Sequence, residues 1–200
     1  MSERGESGQT VAYFAALLAR YADEWQARDV DLDEVDDGIG LVEFIREACE
    51  DEEPDTAVVL LEREDSWFAV VRLDLDEDPR VFASDLAGVG RSGYAELLTA
   101  GTLAPVGPDG GPLEPVEESA ADEPEDVELD EAAEVELEDD DEYAGPSTPS
   151  GPAGDATLLA DFGQSPKGLI GLCDGRLSPA DALAEIAGVL GAAEELEAVR

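Results

Sequence analysis

A chain of 200 residues with 52 Asp and Glu against 11 Lys and Arg, formal charge −41, should repel phosphate backbones and anionic lipid surfaces. Binders of either gain affinity by setting Lys and Arg against phosphates, so no direct nucleic-acid or membrane contact is expected. Histidine is absent, which removes Ser-His and Cys-His nucleophile pairs, His-ligated zinc and the usual general base near neutral pH. The expectation is a soluble protein, not an enzyme, with no catalytic, cofactor-binding or metal site.

Residues 1–10 are polar and hold Glu3, Arg4 and Glu6. They lack the basic and apolar regions of an export signal and read as a disordered tail. The longest apolar run, residues 11–19, has nine residues, about half of the ~20 that cross a hydrocarbon core. A cytoplasmic address follows as the expectation. Cys49 and Cys173, 124 positions apart, then suit two reduced thiols.

Residues 11–28 are ambiguous. Their Ala and Leu content favours helix, while Tyr13, Phe14, Tyr21 and Trp25 suit a hairpin turning at residues 22–24; the hairpin is the preferred reading. Residues 40–49 place Leu41, Val42, Phe44, Ile45 and Ala48 at spacings of three and four, opposite Glu43, Arg46 and Glu47, which predicts an amphipathic helix. Residues 56–63 and 67–73 are β-branched and aromatic runs separated by Glu64-Asp65-Ser66, and predict a second hairpin. A weak third strand over residues 80–84 and a helix over residues 92–99 complete residues 11–103. That order predicts an α+β domain, an antiparallel sheet with helices on one face.

Residues 104–154 hold 18 acids and no base, with prolines, the block at 138–142 and a Gly/Pro/Ser stretch. Repulsion and few aliphatic anchors predict a disordered acidic linker, with at most a transient helix at 127–137. Residues 155–200 read as a small all-α module. Asp155 can cap a short helix presenting Leu158, Leu159 and Phe162 and stopped by Gly163, while Ser165-Pro166 and Ser178-Pro179 suit helix starts. The second of these helices presents Leu183 and Ile186, and a final turn runs from Glu194. Forty-six residues seldom fold alone, so Leu158, Leu159, Phe162, Leu183 and Ile186 are the candidate docking surface, either on the α+β domain or on a partner.

Two motifs invite chemical readings. Gly88-Val89-Gly90-Arg91-Ser92-Gly93 has dinucleotide-loop spacing, yet no early strand-loop-helix-strand unit surrounds it, and a flexible connection is the plainer reading. Residues 31–38 look like a calcium loop, but aligning Gly38 with the loop glycine puts Val35 at a ligand position and Phe44 where a bidentate Glu belongs. A solvated loop before a helix accounts for them. Trp25, Trp67 and Phe68 read first as core packing, with an exposed tryptophan as partner anchor the alternative.

Several strings, in order, carry a resemblance. Tyr13-Phe14-Ala15-Ala16, Asp31-Leu32-Asp33, Ser66-Trp67-Phe68-Ala69-Val70-Val71-Arg72, Asp78-Pro79-Arg80-Val81-Phe82, Leu158-Leu159-Ala160-Asp161-Phe162-Gly163 and Pro179-Ala180-Asp181-Ala182-Leu183 resemble the actinobacterial family called tRNA adenosine deaminase-associated protein. The resemblance covers residues 13–98 and 155–200. It implies a genomic link to that deaminase and no catalytic residue of its own. The chain cannot be the deaminase itself, which needs a His or Cys and a Pro-Cys-x-x-Cys pair around zinc. The expected function is therefore a non-catalytic accessory role, binding a protein partner of which a tRNA adenosine deaminase is the candidate. An acidic nucleic-acid mimic that blocks basic surfaces, and a small metal-dependent enzyme using carboxylates, are the alternatives.

Overall fold

A computed structural model describes residues 13–49, 54–63, 66–74, 77–113 and 149–200. The expected N-terminal tail, the helix at 127–137 and the acidic block at 138–142 lie outside them. Six antiparallel strands form one sheet in the order β2-β1-β3-β4-β5-β6: β1 Tyr13–Tyr21, β2 Glu24–Asp29, β3 Thr56–Arg63, β4 Trp67–Asp74, β5 Arg80–Ala83 and β6 Ala153–Gly154. The preferred hairpin is present as β1 and β2. Its turn runs through Ala22 at φ 55°, held by Asp55, whose carboxylate accepts the Ala22 N–H at 3.1 Å.

Side chains of a strand alternate between the two faces of a sheet, and here both faces are apolar. Ala16, Leu18, Val58, Leu60, Phe68, Val70 and Phe82 belong to one core. Their sequence neighbours Leu17, Val59, Leu61, Trp67, Ala69, Val71 and Val81 belong to a second. Helix α1 (Gly38–Ala48) covers the second core through Leu41 and Ile45, together with α2 (Leu86–Gly90) and a 3-10 turn at Leu97–Ala100. The first core is covered by α3 (Pro166–Gly171), α4 (Pro179–Leu190) and α5 (Ala193–Ala198), through Leu169, Leu183, Ile186, Leu190 and Leu196. The α+β class and the antiparallel sheet stand, but helices lie on both faces instead of one. The helix expected at 92–99 is replaced by α2 and the 3-10 turn on either side of a run of turns.

Residues 155–200 are not a separate domain, because they fall in one compact unit with the described residues between 13 and 113. The ordered fold also enters the expected linker from both ends. Val106 N–H donates to the Pro152 carbonyl at 3.0 Å, Gly154 N–H to Ala104 at 2.8 Å, and Leu113 N–H to Pro105 at 3.0 Å. Residues 104–106 thus lie between residues 112–113 on one side and residues 152–154 on the other, which ties both ends of the described chain to the sheet. Gly154, at φ +100°, lies so close to Val81 that an added Cβ would meet the Val81 carbonyl oxygen, which only glycine avoids.

Arginines seat the C-terminal segment. Arg72, 7% exposed, donates Nε to Asp74 at 2.9 Å, Nη1 to the Leu158 carbonyl at 2.6 Å and Nη2 to Asp161 at 2.9 Å. It also lies 4.8 Å from the centre of the Phe162 ring. Arg80 donates to Asp155 at 2.7 Å and Arg200 to Glu62 at 2.6 Å. The Arg72 hydrogen bond holds the Asp161 carboxyl below its usual range. Burial alone would raise Asp155, but Arg80 and Thr157 outweigh it and leave that carboxyl lowered too.

Three outcomes follow from these contacts. Replacing residues 114–147 with a flexible Gly/Ser linker should leave the thermal midpoint within a few degrees by circular dichroism, since the bonds that tie residues 104–113 and 149–154 to the sheet lie outside the replaced segment; loss of cooperative unfolding would contradict this. Arg72→Met should cost about 3 kcal/mol in denaturant unfolding, because it strands the buried end of Asp74 without a counter-charge. Both lowered carboxyls stabilise the fold above the unfolded value of about 4, and that contribution is lost as pH falls through their folded values. The denaturation midpoint should therefore drop below about pH 4, and less steeply in Arg72→Met.

Candidate interaction surface

Leu158, Leu159, Leu183 and Ile186 are fully buried, and Phe162 packs half-buried against the same core. Phe162 meets Trp25 edge-on at 5.5 Å and lies between Arg20 and Arg72. All five candidate docking residues are spent on the sheet of their own chain, so a partner has to use another surface. Trp25, Trp67 and Phe68 are buried as well, in accord with core packing.

The Gly88–Gly93 motif is also structural. Gly88 and Gly90 lie inside α2, whose first turn is capped by Asp85, one carboxylate oxygen accepting the Gly88 N–H at 3.0 Å and the other the Gly151 N–H at 3.0 Å. A carboxylate already occupies the place a phosphate would need. A Cβ at position 88 would stand 2.9 Å from Trp67 Cδ1, so this glycine admits the tryptophan.

The loop from β2 into α1 is fixed from within. Tyr13 donates its hydroxyl to Asp31 at 2.8 Å and accepts the Leu32 N–H at 3.2 Å, while Asp31 also accepts the Asp33 N–H at 2.9 Å. Burial first, then the Asp31 carboxylate, raise the Tyr13 phenol well above its usual range, so it remains a donor. Leu32 inserts into the core and Asp37 caps α1 through the Gly40 N–H at 2.8 Å. Asp31, Asp33, Glu34, Asp36, Asp37, Glu43 and Glu47 are all exposed, and all but Asp33 line one shallow depression. None of the seven enters an ion pair with a described residue. Among the described residues no group of three or more acidic or thiol side chains is disposed to hold a metal ion.

Beside these carboxylates, a cleft of about 580 Å³ is lined by Tyr13, Asp33, Arg63, Arg91, Tyr94 and Glu96 among others. Tyr94 packs on Tyr13 at 5.2 Å and edge-on to Trp67 at 6.1 Å. The Trp67 indole N–H is buried with no hydrogen-bond partner among the described residues. Another cleft, about 330 Å³, includes Cys173, Arg176 and Ser178, where burial pushes the Cys173 thiol up to about 12. Both cysteines are free. No described helix is long and apolar enough to cross a membrane.

Ile39, 73% exposed, is the surface residue that periodicity missed. The expected helix began at residue 40, whereas α1 begins at Gly38. Its signal was an apolar residue off the buried Leu41–Ile45 stripe. Comparison with protein-family models, with curated proteins and with solved structures returned no match.

Tyr13→Phe should leave the Leu32 N–H without its acceptor and Asp31 without its donor. Hydrogen exchange at Leu32 should then speed up while the β3 and β4 amides stay protected. Uniform acceleration would mean instead that Tyr13 supports the whole sheet and not the loop.

Proposed function

We propose that this chain is a non-catalytic accessory protein that binds a protein with a basic surface. The supporting observation is the set of seven exposed carboxylates on α1 and on the β2–α1 loop that Tyr13 and the Asp37 cap hold, none of them paired with a described cation. A set of like charges held close together carries a repulsive cost that an incoming cationic surface relieves, and it steers such a surface at a distance. The resemblance in sequence supplies the candidate, a tRNA adenosine deaminase, because a surface that holds RNA has to be basic.

Titration calorimetry of the full chain against that deaminase should show a complex at low salt that weakens as screening increases. No heat of binding at low salt overturns the reading. Equal binding to unrelated basic proteins would support the nucleic-acid mimic instead.

A further inference from the structure

On the outer side of α1, Ile39, Val42 and Arg46 follow one another at helical spacing, and with Pro79 they surround a depression of about 460 Å³. A lone exposed isoleucine is ordinary. Here, however, Val42 and Pro79 line the same depression, so an apolar side chain entering it would meet apolar groups between the charged rims of Asp37, Glu43 and Arg46. Asp37 and Glu43 line this depression and also a second one of about 380 Å³, whose other walls include Asp36 and Glu47. A partly apolar pit and a carboxylate-lined trough therefore lie side by side along one helix, with Asp37 and Glu43 between them.

Charge decides the occupant. A second copy would bring another −41, and residues 114–147 of the chain itself hold 17 acids and no base, so both are repelled. We infer that the Ile39 pit is the anchor point for a basic segment of another protein, one apolar side chain entering between Ile39, Val42 and Pro79 while flanking Lys or Arg lie along Asp37, Glu43 and Glu47. Arg46 stands at the far rim of the pit and sets the polarity, since a cation placed there would meet a like charge. The inference rests on the partner-binding reading and adds where the partner touches and with what chemistry.

The test uses the full chain and a fluorescent peptide of lysines flanking one central leucine, at about 0.15 M salt so that diffuse attraction is damped. Ile39→Asp should weaken binding about tenfold, a loss near 1.4 kcal/mol, and Glu43→Lys with Glu47→Lys by a similar factor. Arg46→Glu should tighten it, an outcome that a damaged fold cannot imitate. Amide resonances of residues 39–47 should move on titration with the leucine peptide. Equal affinity for a peptide with serine in place of leucine, or no response to Ile39→Asp and Arg46→Glu, overturns the inference. If the deaminase complex forms in calorimetry while these substitutions leave it unchanged, the partner reading survives and only this contact site is wrong. If the peptide responds as expected but the deaminase does not bind, the site stands and that partner is wrong.

Discussion

Because β3 and β4 are apolar at consecutive positions, both faces of the sheet have to be shielded from water, and one layer of helices cannot do it. The covering of one face is local in sequence: α1 lies between β2 and β3, and α2 follows β5 directly. The other face waits for residues more than 70 positions beyond β5, where Leu158, Leu183 and Ile186 arrive. Burial of a side chain of that size contributes about 1.5–3 kcal/mol, and the sheet without it would expose Leu18, Leu60 and Phe82 together. The C-terminal segment is therefore part of the core and cannot be an optional appendage.

Apolar burial is not directional, so it does not by itself fix how that segment sits. The direction comes from charge. Arg72 is placed on the sheet among side chains that are otherwise apolar, and removing a guanidinium from water is tolerated only when its donors are matched. Asp74, Asp161 and the Leu158 carbonyl match them, and two of these three come from the C-terminal segment. The cation is satisfied in one seating, which makes Arg72 a register mark as well as a contact. Arg80 with Asp155 repeats the device one strand away.

Much of this was legible from residues alone. The two hairpins, α1, the Ser165-Pro166 and Ser178-Pro179 helix starts and the Gly163 stop follow from local chemistry, and each is present. The second helical layer was missed although residues 57–61 carry its signal, since they show no alternation and an unbroken apolar strand signals burial on both faces. That signal competed with the size of the acidic segment, which made residues 155–200 read as a separate module. Pairing across residues 114–147 is a non-local event that no window of sequence displays, so β6 and the Arg72 contacts were out of reach. The interaction surface was hidden for a different reason. With 52 acids in the chain, no single carboxylate is informative until the fold shows which of them lack a cation.

The distribution of the few cations then separates structure from function. Arg72, Arg80 and Arg200 are paired with carboxylates that cross from the sheet to the C-terminal segment, so these bases are used to close the fold. None of these pairs reaches the β2–α1 carboxylates, although Arg46 lines the same depression as Asp37 and Glu43. Exposed like charges in high dielectric repel one another by about 1 kcal/mol or less per close pair, which a core of this size tolerates, and the helix cap recovers part of it at Asp37. Lysines placed among these carboxylates should therefore stabilise the fold slightly. The uncompensated carboxylates beside the exposed Ile39, on a loop that Tyr13 holds in place, are the feature on which the proposed partner contact rests.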